Sequence, residues 1–267
     1  MKAHAVVFAV LTVAALAVAA GTPAAPALAP APEQTSAPPP PAAEFKPFVF
    51  LQAGDPELGS PDLKGTVGRF TLQTQRANRI GAALVVICGD LTRNCTDEQL
   101  AGFDEAAKQF KMHYKVVPGN HDKPAVFAKH FGPDHYVYTL NNCDFIGVNS
   151  ELDGKEAAAQ WKWLEEALKE SRRANRTHTC IVIHNPSALE RPVTELLARY
   201  GVKVVLCGHL HTTEELPGKG FVTYVSPGTA KFRDKHGLGY RVFKVFADRV
   251  EQEFVPLEKE VEPASGR

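Results

Sequence analysis

Side chains that can bind metal ions or move protons recur at five places in this sequence, each directly after an apolar run. The residues are Asp55, Asp90, Asn120 with His121 and Asp122, His184, and His209 with His211. Carboxylate, amide and imidazole donors without a thiolate suit Mn, Fe or Zn better than they suit a structural zinc site built on cysteine. The donors are too many for one ion and fit two ions that share a carboxylate. Two ions about 3.5–4 Å apart can stabilise the attacking and leaving oxygens of a phosphoryl group.

The pattern of the chain predicts strands that would hold these side chains. Apolar runs alternate with amphipathic stretches, which is typical of an α/β fold. Predicted strands cover 48–51, 83–87, 114–117, 136–140, 145–148, 180–183 and 202–207, and predicted helices cover 65–78, 97–110, 155–171 and 193–200. A strand-rich stretch at 221–255 suggests a second sheet. Ligand sites in open α/β sheets form at the carboxyl ends of strands, so the five segments should meet in one pocket.

Glycines precede three of the ligand candidates. They are Gly89, Gly119 and Gly208. A permissive backbone at these positions would allow a sharp turn that aims the next side chain inward.

Composition excludes several classes of protein. Hydrophobic residues make up 44% of the chain, which suits a buried core rather than disorder. Lysine plus arginine number 30 and aspartate plus glutamate number 30. Because there is no basic excess, no nucleic-acid scaffold role is expected. No two of the five cysteines have C-x-x-C spacing, and Cys88, Cys180 and Cys207 lie in apolar runs, which predicts core positions.

The first 44 residues are predicted to lie outside the folded domain. Lys2 and His4 precede an apolar run that ends in small residues, which is typical of a signal peptide at 1–20. Alanine and proline dominate 21–44, which favours an extended linker. A single domain at 45–257 and a polar tail at 258–267 follow. The sequence therefore predicts an exported protein (periplasmic, cell-envelope or secreted), the alternative being an uncleaved N-terminal segment that tethers it to a membrane.

The order of these blocks resembles that of the calcineurin-like metallophosphoesterase superfamily. The matching blocks are Asp55, Gly89-Asp90, Gly119-Asn120-His121-Asp122, His184 and Gly208-His209-x-His211. The resemblance implies a four-layer αββα sandwich with the metal site at the carboxyl ends of strands. It also implies that Asp55 and His211 hold a first metal, that Asn120, His184 and His209 hold a second, and that Asp90 bridges the two.

The resemblance further implies roles in catalysis. A hydroxide between the metals would attack phosphorus, while His121 donates a proton to the departing oxygen or stabilises it. Asp122 would orient His121. Arg93 and Asn94 follow the bridging aspartate on a loop, which makes them candidates for contact with substrate.

One block departs from the family pattern, because Asp55-Pro56-Glu57 stands where the family usually has Asp-x-His. Glu57 can still offer an oxygen to the first metal, and this anionic donor favours Mn, Mg or Fe over Zn. The block is similar to that of a subgroup with Asp-Pro-Gln, whose members include protein serine/threonine phosphatases.

These features predict hydrolysis of a phosphorylated substrate, first of all a phosphomonoester on a protein or a small metabolite. One alternative is a phosphodiesterase acting on nucleotides or lipids. Another is a metal-binding interaction module that has lost activity through the change to Glu57. The presence of His121 counts against that last alternative, since an inactive site does not need a proton donor.

Overall fold

The computed structural model describes residues 45–261 and residue 263. The predicted signal peptide and linker at 1–44 lie outside the described residues, as do residues 262 and 264–267 of the predicted tail. None of the described helices combines the length and the apolar character needed to cross a membrane.

Eleven strands form two sheets in the described part of the chain. The first sheet has the order β11-β10-β1-β2-β3, and the second has the order β4-β5-β6-β7-β9-β8. In the first sheet β1, β2 and β3 are parallel, while β10 is antiparallel to β1. The strands are β1 Phe48–Ala53, β2 Leu84–Cys88, β3 His113–Val117, β4 Tyr136–Leu140, β5 Cys143–Gly147, β6 His178–Val182, β7 Val204–Cys207, β8 Glu215–Pro217, β9 Val222–Val225, β10 Gly239–Val245 and β11 Val250–Pro256.

Five α-helices flank the sheets. They are α1 Leu63–Ile80, α2 Asp97–Ala107, α3 Pro124–Phe131, α4 Gly154–Arg173 and α5 Arg191–Arg199. Side-chain caps fix where two of them begin, because Asp62 accepts a hydrogen bond from the Gly65 amide and Thr96 accepts one from the Gln99 amide. The helix α3 was not predicted from the sequence. Its eight residues bury only Phe127, so it lacks a long apolar stripe.

The apolar residues form three layers, and these define a four-layer αββα sandwich. Alternate residues of β1 face opposite sides, so Leu51 packs with Phe70 of α1 and Phe103 of α2. Phe50 packs between the two sheets with Phe145 and Phe243, while Leu164 of α4 packs against the outer face of the second sheet. The predicted fold class is therefore confirmed.

The structure has a second sheet, as predicted, but the late strands are divided between the two sheets. β10 and β11 extend the first sheet, whereas β8 and β9 extend the second. The second sheet is built mainly from the middle of the chain. β10 joins the first sheet through five residue pairs with β1, which include Phe50 with Phe243.

Four of the five cysteines are core residues, whereas Cys95 is partly exposed. Cys88, Cys180 and Cys207 are buried, as predicted, and so is Cys143. All five are free thiols, and burial raises the pKa of Cys143 to about 11.

Replacing Phe243 with alanine should lower the free energy of unfolding by about 3–5 kcal/mol, because it leaves a cavity between the sheets. The Phe243 ring is fully buried and stacks on Phe50 with 4.6 Å between ring centroids. Phe232→Ala is the control, since Phe232 is 53% exposed. Urea denaturation measures both variants. Equal destabilisation by the two changes would contradict the position of Phe243 between the sheets.

Candidate metal centre

The predicted ligands sit at equivalent positions after their strands. Asp55, Asp90, His184 and His209 each lie two residues beyond the last residue of β1, β2, β6 and β7, respectively. Asn120 lies three residues beyond the end of β3. Since these strands run in parallel within their sheets, their carboxyl ends lie at a common edge. The structure therefore brings together segments that are far apart in sequence.

The backbone at these ligands is strained. Five non-glycine residues of the site have positive φ angles, a conformation that side-chain-bearing residues seldom adopt. They are Asp55 at 39°, Glu57 at 39°, Asp90 at 50°, His209 at 66° and His211 at 55°. Each such residue costs about 1–3 kcal/mol, and strain of this kind concentrates at functional sites.

The glycines before the ligands serve two different purposes. Gly89 has a φ of 82°, so the predicted sharp turn is confirmed there. Gly119 and Gly208 do not have positive φ, and the turn interpretation was wrong for them. A Cβ at Gly119 would collide with the carboxylate of Asp90, and a Cβ at Gly208 would collide with that of Asp55. These two glycines allow ligands from neighbouring loops to approach closely.

Three donor atoms converge on one point. Oδ1 of Asn120 lies 3.1 Å from Nε2 of His184 and 3.0 Å from Nδ1 of His209, and the two nitrogens are 3.2 Å apart. Ligands bound at about 2.0–2.2 Å around one ion are spaced at roughly this distance. Oδ2 of Asp90 lies 3.4 Å from the same His184 nitrogen. The predicted second-metal ligands and the predicted bridging carboxylate are therefore adjacent.

A backbone carbonyl orients His184. Nδ1 of His184 lies 2.8 Å from the carbonyl oxygen of Cys88. Because a carbonyl only accepts hydrogen bonds, Nδ1 carries the proton and Nε2 faces Asn120 and His209. Metal-binding histidines commonly have this arrangement, with one nitrogen held by an outer acceptor.

The predicted first-metal residues leave two polar atoms without partners. Asp55 is fully buried, and both of its oxygens accept from the His209 amide, at 3.0 and 3.1 Å. Among the described residues, Nδ1 of His211 and Oε2 of Glu57 are buried without a hydrogen-bond partner. Burial lowers the pKa of His211, although the nearby charge of Glu57 acts in the opposite direction. Buried acceptor atoms without a hydrogen-bond partner, next to a buried carboxylate, are suited to bind a cation. The residues of this chain therefore fit a metal ion at this place.

The electrostatics also favour a cation. Burial raises the pKa of Asp55 well above its usual value. Burial acts in the same direction on Asp90, but the hydrogen bond and charge of His184 outweigh it and lower the pKa of Asp90. Burial alone would lower the pKa of His184, whereas its contact with Asp90 and the charge of Asp55 raise it to about 9. The carboxylates thus favour positive charge within the cluster. Donor atoms of Asp55, Asp90 and His184 all lie within 4.8 Å of one another.

Asp122 accepts hydrogen bonds from backbone amides and not from the side chain of His121. Its oxygens accept from the amides of Leu91 at 3.1 Å and Gly119 at 2.9 Å, which ties the loop after β2 to the loop after β3. The structure therefore corrects the expectation that Asp122 orients the His121 imidazole. This role could not be predicted from the sequence, because a hydrogen bond to a backbone amide does not depend on the type of the partner residue. Burial raises the pKa of Asp122 to about 7.

His121 lies beside a group of charged residues at the edge of the site. Its side chain is 28% exposed, and its Nε2 lies 2.6 Å from Nη1 of Arg93. Arg93 and Lys231 both contact Oε1 of Glu57, at 2.6 and 2.7 Å. Arg93, one of the predicted substrate residues, therefore borders the site. Lys231 lies in the loop after β9. It was not predicted, because a single basic residue in a loop does not by itself indicate a functional site.

Asn94, the other predicted substrate residue, has no hydrogen bond to this group. Its side chain is exposed, and its amide donates to Gln99 at the start of α2. The structure does not bring it into contact with the ligands.

Comparison with known proteins agrees with this geometry. A model of the calcineurin-like phosphoesterase family matches residues 48–213, so the chain belongs to this family of hydrolases, whose members depend on two metal ions. A probable cyclic nucleotide phosphodiesterase of Coxiella burnetii is 23% identical, and the match covers 76% of this chain and 94% of that protein. Human tartrate-resistant acid phosphatase type 5 is 30% identical over 47% of this chain and 40% of its own length.

A solved structure shares the fold. The dimetal phosphatase structure from Danio rerio has a TM-score of 0.64 at 14% identity, covering 80% of this chain and 97% of that one. At this level of identity the likeness supports the fold alone.

Mn²⁺ should raise the melting temperature of the domain by about 5–10 °C at saturating concentration, because an ion that binds only the folded state stabilises it. The variant Asp90→Asn should lose most of this increase, since the Asp90 carboxylate lies against His184. Asp248→Asn changes an exposed carboxylate paired with Arg249 and is the matched control. Thermal unfolding with and without Mn²⁺ measures the effect. An unchanged Mn²⁺ response in Asp90→Asn would contradict the assignment of Asp90 to the metal centre.

Proposed function

We propose that this protein hydrolyses phosphomonoesters, on a phosphoprotein or a small metabolite, at a centre of two metal ions. The observation that carries this proposal is the convergence of the Asn120, His184 and His209 donor atoms beside Asp90 and the buried Asp55. Family membership supports hydrolysis of a phosphate ester.

The residues divide into two groups around Asp90. Asp55 and His211 with Oε2 of Glu57 would hold one ion, and Asn120, His184 and His209 would hold the other. When bound, the two ions supply Lewis-acid charge to the phosphoryl oxygens and lower the pKa of water. The carboxylate-rich first group favours Mn or Fe over Zn.

His121 is placed to protonate the departing oxygen. Its side chain is partly exposed, and its backbone amide donates to Oδ1 of Asp90 at 2.9 Å, which holds the backbone of His121 next to the predicted bridging carboxylate. Since Arg93 only donates hydrogen bonds, Nε2 of His121 accepts from it. A phosphate ester that binds Arg93 would free this nitrogen to take up a proton from water, and the protonated imidazole would then donate that proton to the departing oxygen.

Phosphodiester hydrolysis is the second candidate function. It is supported by the similarity to the probable cyclic nucleotide phosphodiesterase of Coxiella burnetii, whose length the match covers almost completely. The monoester proposal is supported instead by Arg93 and Lys231, two cations beside the ligands, and by similarity to the human acid phosphatase.

The purified domain with Mn²⁺ should hydrolyse p-nitrophenyl phosphate faster than bis(p-nitrophenyl) phosphate. His121→Ala should lower kcat by about 10²–10⁴-fold while bound metal is retained, as expected for loss of a proton donor. The loss should be greater with phenyl phosphate, because phenolate is the poorer leaving group and needs the proton more.

Steady-state kinetics and metal analysis measure these effects, and His236→Ala, at an exposed histidine, is the control. A wild-type domain that binds metal and hydrolyses neither ester would overturn the hydrolase proposal. A preference for the diester would favour the second candidate.

We further propose export of the protein, on the basis of the apolar run and small residues within 1–20. Full-length protein expressed in a bacterial host should be recovered outside the cytoplasm with its N-terminus close to Ala20. A variant lacking residues 1–20 should remain in the cytoplasm. N-terminal sequencing of both proteins is the measurement, and a cytoplasmic product that retains Met1 would contradict export.

A further inference from the structure

One oxygen of Glu57 holds two cations. Its Oε1 lies 2.6 Å from Nη1 of Arg93 and 2.7 Å from Nζ of Lys231. The Glu57 side chain is completely buried, whereas those of Arg93 and Lys231 are 38% and 41% exposed. Both cations therefore contact the buried carboxylate while part of each side chain remains accessible to solvent.

The two cations come from loops that are distant in sequence. Arg93 follows β2, and Lys231 follows β9, 174 residues after Glu57. The loop of Lys231 is attached to the metal-ligand loop, because the amide of Arg233 donates to the carbonyl of His211 at 2.8 Å. Glu57 is thus the residue that brings Arg93 and Lys231 together next to the first-metal group.

The charge of this group is not balanced. Two cations share one carboxylate, and the other oxygen of that carboxylate has no partner among the described residues. Taken by themselves, these three side chains carry one net positive charge, and the two cations are more exposed than the neighbouring carboxylates of Asp55 and Asp90. A phosphate monoester dianion offers three non-bridging oxygens and about two negative charges, whereas a diester offers only two such oxygens and one charge.

We propose that Arg93 and Lys231, positioned by Glu57, bind the non-bridging oxygens of the phosphoryl group and select phosphate monoesters over diesters. This inference rests on the proposed function and assigns its substrate class. Glu57 is a positioning residue, and Lys231 is a specificity-determining residue. The glutamate that departs from the Asp-x-His pattern then has two uses, since Oε1 holds the cations and Oε2 remains for the metal.

The test is the variant Lys231→Met, which removes one charge and keeps most of the side-chain length. The dissociation constant of inorganic phosphate for the Mn²⁺-loaded protein should rise about tenfold or more, as should KM for p-nitrophenyl phosphate, since a hydrogen bond to a charged group is lost. KM for bis(p-nitrophenyl) phosphate should change less than about threefold, because a diester has no third free oxygen. Isothermal titration calorimetry and steady-state kinetics give these values.

Two further variants separate a specific role from a structural one. Lys231→Arg keeps the charge and should restore most of the phosphate affinity. Lys235→Met alters an exposed lysine in the same loop and should behave like the wild type. Mn²⁺ affinity should be unchanged in all three lysine variants, while Glu57→Gln should weaken both Mn²⁺ binding and phosphate binding.

The outcomes distinguish this inference from the proposed function. If the wild-type protein hydrolyses neither ester, the proposed function fails, and phosphate titration still tests the cation pair. Unchanged phosphate affinity in Lys231→Met would overturn the inference. Equal losses for the monoester and the diester would also overturn it, because Lys231 would then not discriminate between them.

Discussion

The structure depends on balancing buried negative charge at the ends of parallel strands. Asp55 has no contact with solvent, and Asp90 and Glu57 are also buried nearby. Burying a carboxylate is costly unless it is paired with positive charge. Burial alone would lower the pKa of His184, whereas its contact with Asp90 and the charge of Asp55 raise it to about 9, so these carboxylates favour positive charge at this place. Bound metal ions would supply such charge, which explains why these donors are held together.

The rest of the fold stabilises this arrangement, which is energetically unfavourable by itself. Positive φ angles at the ligands are unfavourable, and the packed layers on both faces of each sheet offset them. Asp122 joins the loops after β2 and β3 through backbone amides, and Gly119 and Gly208 let neighbouring carboxylates approach. Removing any of these contacts would allow ligands to separate even if every ligand side chain remained.

Much of the fold could be predicted from the sequence, because strand ends and ligands are both visible in it. Apolar runs such as 202–207 stop where His209 begins a polar segment, and glycine precedes several ligands. The attachment of β10 to β1 could not be predicted, since its alternating pattern would suit either sheet. The pairing of Lys231 with Glu57 could not be predicted either, because it spans 174 residues and depends on loop conformation. Asn94 was predicted from its closeness in sequence to Asp90, yet it is exposed and its amide donates to Gln99.

Anomalous X-ray diffraction from crystals grown with Mn²⁺ tests the central claim most directly. Two anomalous peaks are expected, one against Asn120, His184 and His209 and the other against Asp55 and His211, with the Asp90 carboxylate between them. A single peak, or peaks remote from Asp90, would contradict that claim.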